Sequence, residues 1–160
     1  MEKAVSIRLA GMADAPSIAV MSRELIEMGL GWSWTPQRVA RNIRDRETLT
    51  IVACDRAQLV GFGITQFEDE QVHLSLLAVR PDHQRSGIGR SLMQWIEESA
   101  LVAGINTIHL EVRATNEGAR RFYRALGFQE IALMPFYYRG REAAVRLRRA
   151  IGAQTASNPR

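Results

Sequence analysis

Residues 91–113 change hydrophobic period part-way, and this constrains the fold more than any other feature. In "SLMQWIEESALVAG", Leu92, Trp95, Ile96, Ala100 and Ala103 recur at helical spacing, and Gly104 is placed to cap the C-terminus. In "NTIHLEVR" the period falls to two. Ile108, Leu110 and Val112 face one way, and His109, Glu111 and Arg113 face the other. A helix that must bury one stripe, feeding a strand that must bury one face, calls for helices layered on a sheet.

The rest of the chain extends this pattern. "VSIRLAG" reads as a first strand. Asp14 caps a helix with Pro16 in its first turn and Ile18, Met21, Leu25 and Met28 on its apolar face. "GLGWSW" breaks that helix, and Thr35 with Pro36 opens a second, "PQRVARNIRD", with Val39 and Ile43 on one side. "TLTIVACD" and "QLVGFGITQF" form a hairpin around Asp55 to Ala57, and "QVHLSLLAV" is a third antiparallel member. "NEGARRFYRALG" is a short helix closed by Gly127. "FQEIALM" and "REAAVRLRR" are the last strands, separated by an aromatic loop, "PFYYRG". The order β-α-α-β-β-β-α-β-α-β-β predicts an α/β (α+β) fold. Its mixed sheet has about seven strands, with four helices on its two faces. One domain is expected over residues 1–150, with a flexible tail at 151–160.

The chain's 160 residues, 46 % of them apolar, suffice for one substantial core. No apolar run approaches the ~20 residues that span a bilayer, and "MEKAVSIRLAG" lacks the apolar segment of a secretory signal. A lone cysteine, Cys54, excludes a disulfide framework and a cysteine-rich zinc site, and its strand context suits a buried thiol. These features predict a cytoplasmic protein with no membrane partner. Charge is uneven: from Arg113 onward ten arginines face Glu117, Glu130 and Glu142. That segment carries +7 of a chain total of +4, so the first 112 residues sum to −3. A basic end of this kind attracts phosphates, nucleic acid or acidic protein.

The stretch "RPDHQRSGIGRSL" places Arg85, Arg90, Gly87 and Gly89 where a helix must start. A Walker loop would end in Gly-Lys-Ser/Thr, whereas this one has Gly89-Arg90-Ser91 and lacks the upstream glycine. A dinucleotide fingerprint needs a third glycine where Leu92 stands. The remaining scheme is Gln-x-x-Gly-x-Gly running into a helix, whose N–H groups and dipole attract an anion. An ordinary strand-to-helix turn is the plain alternative.

The assembly "LLAVRPDHQRSGIGRSLM" followed by "IHLEVRATNEGARRFYRALGFQEI" resembles the GNAT superfamily of acetyl-CoA-dependent N-acetyltransferases. The matching elements are Leu77-x-Val79-x-Pro81, Gln84-x-x-Gly87-x-Gly89, and Asn116-x-x-Ala119-x-x-x-Tyr123 with Leu126-Gly127-Phe128. The resemblance is dense from about residue 60 to 148. "LEVRATN" and "YYRGREAA" are most similar to the ribosomal-protein alanine N-acetyltransferases. Those enzymes carry an Asp beside the late Glu, where this chain has Ala143 after Glu142.

The resemblance implies a sheet splayed at the cofactor cleft and acetyl-CoA as acyl donor. The residues from Gln84 through Arg85, Ser86, Gly87, Ile88, Gly89 and Arg90 would hold its pyrophosphate. Leu77, Ala78 and Val79 would pair with the pantetheine arm and offer an N–H to the thioester oxygen. Asn116 would bond pantetheine or serve only as a helix cap. An amine acceptor is usually protonated, so the transfer needs a base, and an acid can protonate the departing thiolate. Glu111 is the expected base; the plain alternative pairs it with Arg113 or His109. Tyr123 is the expected acid, with Phe122 and Phe128 filling the core instead. Trp32, Trp34, Phe136, Tyr137 and Tyr138 would line the acceptor channel, or simply pack. His73, His83 and His109 share no metal-ligand spacing, and no metal is expected.

The leading expectation is acetylation of a protein or peptide α-amine. The alternatives are a small amine acceptor (amino acid, polyamine or antibiotic), a non-catalytic acyl-CoA-binding module, and a nucleic-acid binder. The last lacks any RNA motif or helix-turn-helix pattern. Oligomeric state stays open, a homodimer being one option.

Overall fold

In the computed structural model, which describes residues 5–152, the strand-forming runs build seven strands. They are β1 (Val5–Leu9), β2 (Thr48–Asp55), β3 (Gln58–Phe67), β4 (Val72–Val79), β5 (Thr107–Arg113), β6 (Gln129–Tyr138) and β7 (Glu142–Ala150). The helices are α1 (Ala15–Leu25), α2 (Pro36–Arg44), α3 (Ile88–Val102) and α4 (Glu117–Ala125). Chain order matches the expected one, with short 3₁₀ turns added at Met12–Asp14 and Pro81–His83.

The strands form one mixed sheet in the order β1-β2-β3-β4-β5-β7-β6. β1–β2, β2–β3, β5–β7 and β6–β7 are antiparallel, and β4–β5 is parallel. Among the described residues the β4–β5 register comprises Val72↔Ile108, His73↔His109 and Leu74↔Leu110, while β4 itself continues to Val79. By its internal contacts the chain divides into two compact units. One holds residues up to Phe67 with Ser75–Ile96, and the other holds Glu68–Leu74 with residues from Glu97 onward.

In the first unit, Ile18, Ala19 and Met21 of α1 and Val39 of α2 are buried with Val52, Phe62, Ile64 and Ala78. Thr35 caps α2 as expected, its Oγ1 accepting the Arg38 N–H at 3.3 Å. Asp14 works differently. It is already helical in φ and ψ, and its carboxylate accepts the Gly11 N–H at 2.7 Å and pairs with Arg8 at 2.8 Å. It therefore braces the turn before α1 instead of capping the helix. Met28 falls beyond the end of α1 and is exposed. After α1 the chain folds around the buried Glu27 carboxylate. That group accepts from the Ser22 hydroxyl (2.8 Å), the Ser33 N–H (2.7 Å), the Ser33 hydroxyl (2.8 Å) and the Trp34 N–H (3.2 Å).

In the second unit, two helix ends use the same stop. Gly104 (φ 82°) donates to Leu101 O at 3.0 Å and Ile105 N–H to Ala100 O at 2.9 Å. Gly127 (φ 98°) donates to Arg124 O at 3.0 Å and Phe128 N–H to Tyr123 O at 3.0 Å. Both are Schellman closures, whose left-handed residue favours glycine. Ile108 and Leu110 of β5 are buried with Phe128, Val145 and Leu147, so the alternation read in the sequence is the real one.

Two further expectations need correction. "PFYYRG" is not a separate loop: Pro135 to Tyr138 belong to β6, which slips register between Met134 and Tyr138, with Phe136 at φ 59°. The chain turns only at Arg139 and Gly140, both left-handed. A proline is tolerated there because β6 ends the sheet order and its outer edge needs no ladder donor. Ile151, assigned to the tail, is buried, and its N–H donates to Asn106 O at 2.8 Å. Residues 153–160 of the expected tail lie outside the described residues. Among the described residues no helix is long and apolar enough to cross a membrane.

Candidate active site

The glycine loop lies in the first unit, between the end of β4 and the start of α3. Arg80 anchors its entry, donating from its N–H to Val60 O at 2.8 Å and from Nε to Leu59 O at 3.0 Å. Gln84 is exposed, but its amide is tied back to the strand. Its Nε2 donates to Val79 O at 2.9 Å, closing the loop on the strand it left. The Ser86 hydroxyl donates to His83 O at 2.6 Å. Arg85 (φ 63°) and Gly87 (φ 90°) are both left-handed, and a β-carbon on Gly87 would meet nothing within 4 Å. Gly87 is thus required by its backbone, and the space over it is open. Ser91 is the first residue whose N–H bonds back into the helix, to Gly87 O at 2.9 Å. The N–H groups of Ile88, Gly89 and Arg90 precede that bond, at the positive end of the helix dipole. Arg85 and Arg90 are exposed beside them.

Two residues support this loop that sequence reasoning did not single out. A β-carbon on Gly61 of β3 would lie 3.1 Å from Ala78 O and 3.5 Å from Ile88 Cγ2, so β3 runs close against the end of its neighbour β4 and the start of α3. His83 bridges Asp82 (Nδ1–Oδ1 2.9 Å) and Asp55 (Nε2–Oδ2 3.0 Å). The bonds to Asp55 and then Asp82 raise its affinity for a proton. Along β4, Leu77 and Val79 are half-buried, while Ala78 turns its side chain into the core. Only the backbone of Ala78 is therefore available to a ligand.

Trp32 and Trp34 lie in the same unit as packing residues. Both are partly buried against its core, and the Trp32 Nε1–H donates to Ala19 O at 3.0 Å. Arg23 covers the Trp32 ring at 4.8 Å and Arg38 the Trp34 ring at 3.7 Å.

The second unit holds the titratable cluster. Glu111 projects from β5, its side chain only 6 % exposed. Its Oε1 lies 2.7 Å from His73 Nε2, and its Oε2 accepts from Arg146 Nε at 2.7 Å. Arg146 stands directly opposite Glu111 in the antiparallel register. Burial pushes the Glu111 carboxyl up, but the bonds from His73 and Arg146 outweigh it and hold the group at about 2. His73 and His109 are opposite each other in the parallel register, and their rings stack at 4.7 Å. Burial, and then the neighbouring His73, lower the proton affinity of His109. Its Nδ1 lies 3.8 Å from Glu111 Oε2. Its Nε2 lies 3.5 Å from Glu68 Oε1, in a direction that makes no hydrogen bond. Arg113, the partner considered for Glu111, pairs with Glu142 at 3.5 Å instead.

Tyr137 borders this cluster. Burial and then the Glu111 charge push its hydroxyl up. Tyr138 stacks edge-on with it at 4.9 Å and is shifted the same way, by burial first. Phe136 is exposed. Tyr123 is the buried residue of α4, its ring edge-on to Phe122 (5.0 Å) and Phe128 (5.5 Å). Phe122 is less buried than Tyr123, so the core role expected of Phe122 falls partly to the tyrosine. Burial raises the Tyr123 hydroxyl well above its ordinary value. Asn116 caps α4, Oδ1 accepting the Ala119 N–H at 3.0 Å, while its Nδ2 group is a donor that a ligand could use.

The donor atoms of His73, His109 and Glu111 lie within 4.8 Å of one another, close enough to invite a cation. The spacing of the histidines in sequence gave no hint of this, because the parallel register assembles them. Both Glu111 oxygens are already engaged, one of them by the Arg146 guanidinium. That arginine supplies the compensating positive charge.

Residues 19–128 match the acetyltransferase (GNAT) family. The chain is 35 % identical over 115 residues to the [ribosomal protein bS18]-alanine N-acetyltransferase of Escherichia coli, covering 70 % of this chain and 77 % of that protein. This chain belongs to the GNAT family.

The crystal structure of the E. coli ribosomal-protein-S18-alanine N-acetyltransferase superposes with a TM-score of 0.78 at 29 % identity, covering 92 % of this chain and 94 % of that one. Ard1 from Thermoplasma volcanium gives 0.81 at 25 %, over 92 % and 98 %. The chain is therefore a GNAT N-acetyltransferase that uses acetyl-CoA. Its glycine loop fits that donor: an open space over Gly87, three N–H groups ahead of the first helical bond, and two exposed arginines suit a diphosphate. In this GNAT chain the place of the loop ahead of α3 and the place of Glu111 on β5 were legible from motif and alternation. Gly61, His83, His73 and Arg146 were not, since their relevance arises from neighbours remote in sequence.

Proposed function

We propose that this enzyme acetylates the α-amine of a protein N-terminus, with a small first residue such as alanine or serine preferred. The observation that carries this reading is the 35 % identity to an enzyme named for the alanine of ribosomal protein bS18. The catalytic domain is taken as residues 1–150, acting in the cytoplasm.

In this reading the loop from Gln84 to Arg90 holds the diphosphate of the donor, whose thioester supplies the acetyl group. Arg85 and Arg90 add charge, and Gln84 and Ser86 hold the loop in shape. The backbone of Leu77 to Val79 pairs with the pantetheine arm as an added strand would, and a strand N–H binds the carbonyl oxygen as charge builds on it. The Asn116 amide adds a bond through Nδ2. An α-amine titrates at roughly 7.7–8.0, so at neutral pH most of it is protonated and has no lone pair. Glu111 is the carboxylate of the proton-accepting site. Tyr123 is the acid: burial keeps its hydroxyl protonated, ready to donate to the leaving sulfur. Phe136, Tyr137 and Tyr138 contact the acceptor.

Assaying acetyl transfer to an N-terminal peptide library beside polyamines and aminoglycosides, by mass spectrometry, tests the reading. Peptides beginning with Ala or Ser are expected to lead. Polyamines and aminoglycosides should fall at least about tenfold lower in kcat/KM, because each ammonium needs a carboxylate partner and both Glu111 oxygens are taken. Efficient polyamine turnover without peptide product would reverse the assignment.

A further inference from the structure

The geometry points to His73, at Nδ1, as the atom that takes the proton from the acceptor amine, with Glu111 as the residue that orients it. This inference rests on the reading that a protonated amine is acetylated at this site.

Glu111 is poorly placed to act alone. Each oxygen already accepts a hydrogen bond at 2.7 Å, and its side chain is 6 % exposed against 26 % for His73. The outward-facing member of the pair is the imidazole. Glu111 is held ionised, and a carboxylate can only accept. The proton between the two groups must then sit on His73 Nε2. A neutral ring with hydrogen on Nε2 carries its lone pair on Nδ1, so the carboxylate fixes both the tautomer and the acceptor atom.

The neighbours fit the assignment. His109, stacked on His73, is buried and disfavours its own charge, so it does not compete for the proton. Arg146 neutralises one Glu111 oxygen and leaves the other facing His73. Glu68 lies on the far side of His109, and Tyr137 borders Glu111. When His73 gains its proton, the adjacent carboxylate stabilises the imidazolium, as the aspartate does in a catalytic triad.

The steps balance. The ammonium gives one proton to Nδ1, and its freed lone pair forms the N–C bond as the C–S bond breaks. The sulfur takes the Tyr123 hydroxyl proton, the surplus proton on the new amide nitrogen restores Tyr123, and His73 passes its proton to water.

The test compares His73→Ala, His73→Gln and Glu111→Gln with wild type on an Ala-initial peptide. Glutamine at 73 can still donate to Glu111, so that variant should fold normally. Both His73 variants should lose roughly 10²–10³ in kcat with acetyl-CoA affinity unchanged. Added imidazole should restore part of the His73→Ala rate, more so with more basic imidazoles. Glu111→Gln, which can no longer fix the His73 tautomer, should lower kcat with acetyl-CoA affinity unchanged. ¹⁵N NMR of the ring nitrogens should show the Nε2–H tautomer at His73. The inference is overturned if His73→Ala stays within about threefold of wild type, if imidazole gives no rescue, or if NMR finds the Nδ1–H tautomer. Should wild type acetylate no peptide at all, the functional reading fails separately, and the tautomer still decides the inference.

Discussion

Tyr123 has a ring that belongs to the core and a hydroxyl that is assigned to chemistry. The two can be separated by experiment. Removing the hydroxyl in Tyr123→Phe leaves the edge-on contacts with Phe122 and Phe128 intact. We expect kcat to drop about 10²-fold or more while the melting temperature and acetyl-CoA affinity hold steady. A melting point that falls while turnover persists would assign Tyr123 to packing alone. The reading of Glu111 shows how far single residues are legible. Its place on the polar face followed from alternation, but its partners did not. His73 lies 38 residues away and arrives through a parallel register that no local pattern specifies. Arg146 arrives through the antiparallel pairing with β7.

Elements set the shape of the glycine loop. β3 lies beside β4 in the sheet, and residue 61 is tightly confined there: a β-carbon would sit 3.1 Å from the Ala78 backbone oxygen, which would have to give way by a few tenths of an ångström. Gly61→Ala should therefore push the Ala78–Val79 segment and the α3 N-terminus outward. Calorimetry should find acetyl-CoA affinity reduced several-fold, roughly 1 kcal/mol, with peptide KM little changed. Unchanged donor affinity in a folded variant would mean the loop shape is independent of this contact. Most elements were legible because their periods are long and their stops conventional, as at Gly104 and Gly127. "PFYYRG" was misread because proline and glycine signal a loop, whereas aromatic side chains suit strands and an edge strand tolerates both a proline and a bulge. Asp14 was misread because the turn geometry ahead of α1, closed through Gly11 and Arg8, is invisible to a capping rule.

For the molecule as a whole, charge that looks excessive in sequence is largely paired in the fold. Arg113, Arg120, Arg121, Arg124, Arg146 and Arg149 of the basic C-terminal third each meet a carboxylate. Glu130 alone gathers Arg120 and Arg124, both at 2.8 Å. Pairing of this kind holds the side chains in place without changing the net charge of the segment. It also makes the fold sensitive to acid. The Glu111 pKa is lowered from 4.5 to about 2, so the folded chain binds that proton more weakly than the unfolded chain does. Its contribution to stability is complete above about pH 4.5 and is lost as the pH falls from there towards 2. Melting temperatures measured from pH 7 to pH 3 should show Glu111→Gln well below wild type at neutrality, with the gap closing in acid. A gap that stays constant would place the carboxylate outside the acid response.

The segment wrapped on Glu27 carries a further consequence. Loop amides normally trade their protons with water within moments of exposure, but the Ser33 and Trp34 N–H groups point at a buried carboxylate. Deuterium should enter those two positions as slowly as it enters a strand, and together, because both lose protection only when the same carboxylate lets go. This stretch without helix or strand should therefore open as a single latch rather than fray residue by residue.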